Sequence, residues 1–150
     1  MISPLPTWAT SIRPHQQRAR EDIARAYENG AKVVWVDAPT GSGKTLLGDL
    51  VRRDLGLHQA LFVCSSKTLQ DQVARDFPYS EVLKGRAHYA TDTEGVTCDS
   101  CTYGGIDAPC YWCHSRDGCS YQIAKRAAVE AELGVLNTTY LLTEGVVGVS

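Results

Sequence analysis

Residues 37–45 carry the clearest chemical signal in the chain and read Asp-Ala-Pro-Thr-Gly-Ser-Gly-Lys-Thr. The spacing matches a phosphate-binding loop, G-x-x-x-x-G-K-[ST], with Ala38 at the first glycine position. Glycines let successive backbone N–H groups turn toward an anion, and a helix starting near Gly43 adds its positive end. Lys44 is expected to reach the β- and γ-phosphates of ATP, and the Thr45 hydroxyl to ligate Mg²⁺, which makes these two the predicted catalytic residues. The predicted phosphate-binding residues are Thr40, Gly41, Ser42, Gly43, Lys44 and Thr45.

A second chemical signal is a cluster of cysteines between residues 85 and 119. Two C-x-x-C pairs are typical of metal sites, because each tight turn places two thiolates on one side of a loop. Four thiolates suit tetrahedral Zn²⁺ or an iron–sulfur cluster, and the spacing by itself favours zinc. The alternative is a set of unliganded thiols. The candidate metal ligands are Cys98, Cys101, Cys110, Cys113 and Cys119.

The elements that would position these residues alternate between helix and strand. Apolar runs predict buried strands at residues 32–36, 60–64 and 134–138, and Cys64 falls in the second as a core residue. Helical periodicity predicts helices before the first strand, after the phosphate-binding loop, over residues 69–77 and over residues 121–133. This alternation predicts an α/β fold with a parallel sheet. The pattern breaks between residues 85 and 119, where a metal-stapled loop is expected.

Composition limits the classes of protein to consider. Hydrophobic residues make up 43% of 150 residues, enough for a folded core, and the net charge of −2 gives no evidence for nucleic-acid binding. The sequence shows no apolar run of transmembrane length and no secretory signal, so we expect a cytoplasmic protein with reduced cysteines.

Five segments in order resemble the N-terminal part of superfamily 2 DNA helicases of the XPD/DinG type. Residues 13–16 (Arg-Pro-His-Gln) resemble the segment whose glutamine reads adenine, and residues 38–45 resemble helicase motif I. Residues 65–72 (Ser-Ser-Lys-Thr-Leu-Gln-Asp-Gln) are similar to motif Ia. Residues 83–89 resemble the start of that family's cysteine-rich insert, and residues 119–138 resemble its return to the motor domain.

The resemblance implies an incomplete RecA-like P-loop NTPase domain with an irregular insert. It divides the chain into motor-domain residues 1–84, a metal-binding insert at 85–119, and a return helix and strand at 120–150. Arg13 and Gln16 would recognise adenine, and Thr68 and Gln72 would contact single-stranded or forked DNA. The insert would hold a 4Fe–4S cluster, with Zn²⁺ as the alternative because no cysteine follows Tyr89 directly where that family has its first ligand.

Two parts of such a helicase are not found in the sequence. It contains no Asp-Glu dipeptide for a Walker B box, and no second motor domain. We therefore expect either the ATP-binding portion of a longer helicase, inactive alone, or a metal-stapled nucleotide-binding module without catalysis. A small P-loop kinase or other small NTPase is a third hypothesis. The residues of motif I and the cysteine insert disfavour it.

Overall fold

The computed structural model describes residues 4–91, 94–101 and 118–142. The chain divides into two compact units, residues 1–60 and 61–150. The fold is α/β with a small parallel three-stranded sheet, consistent with the predicted incomplete RecA-like P-loop fold. The elements, in chain order, are α1 (Pro14–Glu28), α2 (Lys44–Asp54), β1 (Ala60–Cys64), α3 (Lys67–Asp76), β2 (Ser80–Val82), a 3₁₀ helix (Arg86–His88), α4 (Ser120–Glu130), β3 (Leu133–Asn137) and α5 (Thr138–Tyr140).

In the first unit, α1 and α2 pack against each other. Helix α1 begins with Pro14 at its first position, where the missing N–H costs no helical hydrogen bond. Its apolar face buries Ile23, while α2 buries its leucines at helical spacing. The Arg20 guanidinium on α1 also donates to the Asp54 carboxylate at the end of α2, at 2.7 Å from Nε. These contacts hold α1 against α2, and the N-terminal turns of the two helices carry the candidate site.

The strand predicted at residues 32–36 does not form in the described structure, so that prediction is wrong. Val33 is 81% exposed and Trp35 is 91% exposed, although the run is β-branched and aromatic. A strand requires a neighbour that pairs with its N–H and C=O groups, and no strand within residues 4–91, 94–101 and 118–142 pairs with this segment. The residues of this run favour a strand, but within the described residues no neighbouring strand pairs with their backbone N–H and C=O groups.

The second unit contains the sheet, in the order β1-β3-β2. Strands β2 and β3 are parallel, with Ser80 opposite Leu133 and Val82 opposite Val135. Strand β3 is central, and its first four residues are all buried, as a strand with a neighbour on each side requires. Gly134 allows α4 to approach closely, because a Cβ added there would stand 2.1 Å from the Ala128 carbonyl oxygen.

The core of the second unit joins α3, β2, β3 and α4. Phe77, Leu83, Tyr121 and Val135 are at most 1% exposed. Buried Gln70 on α3 satisfies its side-chain amide by donating to the Leu83 carbonyl oxygen at 3.0 Å. The predictions of strands at 60–64 and 134–138 and of helices over 69–77 and 121–133 are confirmed to within a few residues.

Candidate functional site

The phosphate-binding loop connects residues 32–36, the segment that does not form a strand, to α2. Gly41 and Gly43 have φ values of +80° and +82°, a left-handed conformation that glycine adopts without strain. Gly43 is the N-cap of α2, so the free N–H groups of the helix begin directly after the loop. The sequence predicted this arrangement, and the structure places the positive end of α2 beside the loop.

Gly43 is required for a second reason, which the sequence motif does not reveal. A Cβ added at this position would stand 2.2 Å from Nε2 of Gln16. The missing side chain therefore leaves room for the N-terminal turn of α1 to reach the loop backbone. This close approach joins two of the sequence-predicted site residues.

The N-terminal turn of α1 is tied to the loop by three side chains. Gln16 Nε2 donates to the Ser42 carbonyl oxygen at 3.0 Å, and Arg13 Nη1 donates to that of Gly41 at 3.3 Å. His15 Nε2 lies 3.2 Å from the same Ser42 oxygen. The Gln16 Oε1 accepts from the Arg13 N–H at 2.9 Å, which also caps α1. The structure thus brings Arg13 and Gln16 to the loop, and adds His15, which the sequence gave no reason to select.

Lys44 lies across the loop at the first position of α2. Its Nζ donates to the carbonyl oxygens of Ala38 and Pro39, both at 2.9 Å. These contacts hold the ammonium charge within the loop. Thr45 follows in the first turn of α2, half-buried.

A cavity of about 530 Å³ lies between the first turns of α1 and the loop. Its lining comprises His15, Gln16 and Ala19 on α1, residues 36–42, and Leu47 on α2. This volume is in the range of sites that hold small ligands. The buried Ser42 hydroxyl has no hydrogen-bond partner within the described residues. The open space at Gly41, the nearby lysine and the unsatisfied hydroxyl fit a triphosphate.

The residues predicted to contact DNA lie on α3, in the second unit. Thr68 and Gln72 are both exposed and stand four residues apart, so they share one face of the helix. Ser66 caps α3 by accepting from the Leu69 N–H at 3.3 Å. The helix therefore presents a hydroxyl and a carboxamide to solvent near its N-terminal end.

Cys98 and Cys119 are brought together although 21 residues separate them in sequence, with their sulfurs 4.0 Å apart. Cys98 is 3% exposed and packs with Leu83, Tyr121 and Leu136. Burial first, and then the Cys119 thiol, raise the pKa of the Cys98 thiol. Cys101 is half-buried, and Cys110 and Cys113 lie outside the described residues. Among residues that the structure describes, no group of three or more metal-ligating side chains is assembled.

Cys64 has a different environment from the other described cysteines. It lies buried in β1, with its thiol 3.7 Å from the Leu136 carbonyl oxygen. Burial raises the pKa of this thiol, which disfavours its thiolate form. The prediction that Cys64 is a core residue is confirmed.

Comparison with known families places residues 9–102 in the family described as type III restriction enzyme, res subunit. The match covers more than half of the chain, and the chain belongs to this family, which has a superfamily 2 helicase-type domain. It includes the phosphate-binding loop, α1 and α3, and supports ATP binding with Mg²⁺. No curated protein and no solved structure was found to match. None of the helices in the described residues has the length and apolar character that crossing a membrane requires.

Proposed function

We propose that this chain is the ATP-binding portion of an ATP-dependent DNA helicase of the XPD/DinG type, with a metal-binding cysteine-rich insert. The observation that carries the proposal is the phosphate-binding loop held by the first turn of α1 through Gln16 and Arg13. A P-loop alone serves many NTPases. A glutamine two residues after a proline at the first position of a helix, bonded to that loop, is a more specific arrangement.

The triphosphate would bind at the N-terminal end of α2. Backbone N–H groups at Gly41 and Gly43 would cradle the phosphates, and the Ser42 N–H would join them by releasing the Pro39 carbonyl oxygen, to which it donates at 3.3 Å. The α2 dipole favours the negative charge of the phosphates. Lys44 would exchange its bonds to the Ala38 and Pro39 carbonyl oxygens for phosphate oxygens. Thr45 would ligate the Mg²⁺ that bridges the phosphates.

Adenine would bind in the cavity beside Gln16. This carboxamide uses one N–H on Ser42 and one lone pair on the Arg13 N–H. A carboxamide has a second N–H and a second lone pair, which match an acceptor and a donor on the edge of adenine. Gln16 would then read the base without releasing the loop, and base recognition would be coupled to the phosphate site.

Single-stranded DNA would contact α3 through its backbone phosphates. Thr68 and Gln72 can both donate hydrogen bonds to phosphate oxygens, which position a strand without reading its sequence. The double variant Thr68→Ala/Gln72→Ala should bind labelled oligothymidine at least fivefold more weakly by fluorescence anisotropy, a loss of about 1 kcal/mol. Thr138→Ala, an exposed threonine outside α3, is the matched control. Equal binding by both variants would remove α3 from the DNA interface.

The insert would hold a metal centre through four of Cys98, Cys101, Cys110, Cys113 and Cys119. The family resemblance implies a 4Fe–4S cluster, while the cysteine spacing favours Zn²⁺. A cytoplasmic location belongs to this proposal, because reducing conditions keep thiols available for a metal.

A second candidate function is nucleotide binding without catalysis. The absence of an Asp-Glu dipeptide from the sequence favours it, because a Walker B carboxylate holds Mg²⁺ in P-loop NTPases. ATP hydrolysis with and without single-stranded DNA tests the second candidate, because that function excludes hydrolysis. DNA-stimulated hydrolysis by the 150-residue chain, lost in Lys44→Ala and kept in Lys32→Ala, would rule out the second candidate. Hydrolysis unchanged in Lys44→Ala would refute the motor assignment itself.

A further inference from the structure

We infer that His15 is a positioning residue for the triphosphate, because it helps to hold the peptide between Ser42 and Gly43 in one orientation. Its Nε2 lies 3.2 Å from the Ser42 carbonyl oxygen, 27 residues away in sequence. A carbonyl oxygen only accepts hydrogen bonds, so this contact assigns a proton to Nε2. The inference rests on triphosphate binding by the loop, as in the proposed function, and gives α1 a role that does not depend on the base.

The peptide between Ser42 and Gly43 needs outside support because the loop is rich in glycine. Gly41 and Gly43 both have positive φ, and glycine adopts positive and negative φ about equally well. The loop by itself therefore determines the direction of this peptide only weakly. Gln16 Nε2 donates to the Ser42 oxygen at 3.0 Å, and His15 donates to the same atom. A carbonyl oxygen has two lone pairs, and these two bonds use both.

The direction of each carbonyl group in the loop decides where the next N–H group points. A trans peptide is planar, with C=O and N–H on opposite sides, and the described residues contain no cis peptide. The Gly41 carbonyl accepts from Arg13 on α1 at 3.3 Å, so the Ser42 N–H must point away from α1. It donates to the Pro39 carbonyl oxygen at 3.3 Å, and the Lys44 ammonium bonds the same oxygen at 2.9 Å. The side of the loop that faces away from α1 is therefore the side of the lysine.

The same geometry applies one peptide later, at the N-cap of α2. His15 and Gln16 hold the Ser42 carbonyl toward α1. The Gly43 N–H belongs to the same peptide, so it points to the side of the Lys44 ammonium. N–H groups at this end of a helix have no partner within the helix, and together with an ammonium they bind a phosphate. Loss of the His15 bond would leave the peptide held by one donor and free to turn this N–H away from the phosphate.

The test is binding of inorganic triphosphate with Mg²⁺, measured by isothermal titration calorimetry, because this probe carries no base. His15→Ala should bind it about threefold to tenfold more weakly than the wild type, the factor that one net hydrogen bond supplies. His15→Gln should bind it like the wild type, since the amide nitrogen replaces Nε2 as the donor. His58→Ala is the matched control, because it removes an exposed imidazole between α2 and β1, and should leave the affinity unchanged.

The amide signal of Gly43 in the ligand-free chain is a second readout, by nuclear magnetic resonance. It should be single and sharp in the wild type and in His15→Gln, and broadened or split in His15→Ala. An unchanged signal in His15→Ala would overturn the inference. A loss of affinity that affects ATP but not inorganic triphosphate, or that His15→Gln does not restore, would also overturn it. A wild-type chain that binds no triphosphate would refute the proposed function, and the Gly43 signal would still decide whether His15 positions the peptide.

Discussion

Similar apolar segments are exposed in the first unit of the chain and buried in the second. In the first unit, Val33 and Trp35 belong to a β-branched run that remains unpaired and largely exposed. In the second unit, residues 133–136 form the central strand β3 and are buried. Both runs have the composition of a buried strand. The difference shows that pairing on both edges, and not composition, determines burial of a strand.

The two units also hold their candidate sites differently. The phosphate-binding loop of the first unit is fixed by polar contacts from one neighbouring helix turn, chiefly Gln16 and Arg13. The Cys98–Cys119 pair of the second unit is fixed by a buried core that includes Tyr121 and Leu83. We therefore expect the second unit to be sensitive to loss of apolar contacts and the first to be sensitive to backbone and polar changes.

The largest expected effect compares one buried and one exposed aromatic residue. Tyr121→Ala should reduce the free energy of unfolding by about 3–5 kcal/mol, because it opens a cavity beneath α4. Trp35→Ala should change it by no more than about 0.5 kcal/mol, because the indole is 91% exposed. Urea denaturation followed by circular dichroism measures both. A comparable loss in Trp35→Ala would mean that this segment is buried in solution.

An intermediate effect compares two loop glycines with nearly the same φ, +80° at Gly41 and +82° at Gly43. Gly41→Ala should cost about 1–2 kcal/mol, since φ is positive but a Cβ there has open space. Gly43→Ala should cost more and should weaken ATP binding further, because its Cβ would displace the Gln16 amide. Thermal unfolding and ATP titration of both variants provide the comparison. Equal losses in the two variants would show that the contact between α1 and the loop is unimportant.

The smallest expected effect lies on the surface of the second unit. The hydrogen bond from Lys84 Nζ, 2.9 Å from Asp71 Oδ1, holds the pKa of that carboxyl below its usual range. A depressed carboxyl pKa stabilises the folded state above the unfolded pKa, and this contribution disappears as pH falls through the folded pKa. Both groups are exposed, so the effect on stability is small.

Lys84→Ala should raise the pKa of Asp71 toward about 3.9. Carboxyl titration by nuclear magnetic resonance measures the change. Asp99, whose pKa is lowered by the Thr97 hydroxyl, is an internal control that should not shift. An unchanged Asp71 pKa would show that the ion pair does not persist in solution.

Local patterns in the sequence predicted the parts of the molecule that depend on interactions between residues close together in the chain. The phosphate-binding loop, its glycines and the helix after it follow from residues 38–45 alone, because the turn and the N-cap are local. Periodicity predicted α1, α3 and α4 within a few residues. Strand β3 was predicted from its apolar run, and the prediction is correct because β1 and β2 lie on either side of it.

The contacts that the sequence did not predict join residues far apart in the chain. The bond from Gln16 to Ser42 spans 26 residues, and the Cys98–Cys119 contact spans 21. Residue spacing predicts only that these cysteines could share a metal, and only the folded backbone shows that the Cys98 and Cys119 sulfurs lie in contact. The exposure of Trp35 likewise depends on a missing strand neighbour, which its own segment cannot reveal.

Equilibrium binding of a fluorescent ATP analogue with Mg²⁺ tests the central claim most directly, since the claim is that the loop held by α1 binds a nucleoside triphosphate. The wild-type chain should bind the analogue saturably. Lys44→Ala should bind it at least tenfold more weakly, which corresponds to a loss of about 1.4 kcal/mol in binding free energy. The control variant Lys32→Ala should bind it like the wild type. Gln16→Ala should weaken binding of the ATP analogue more than that of inorganic triphosphate, because only ATP carries the base. The absence of saturable binding by the wild-type chain, or equal affinity in Lys44→Ala, would contradict the account.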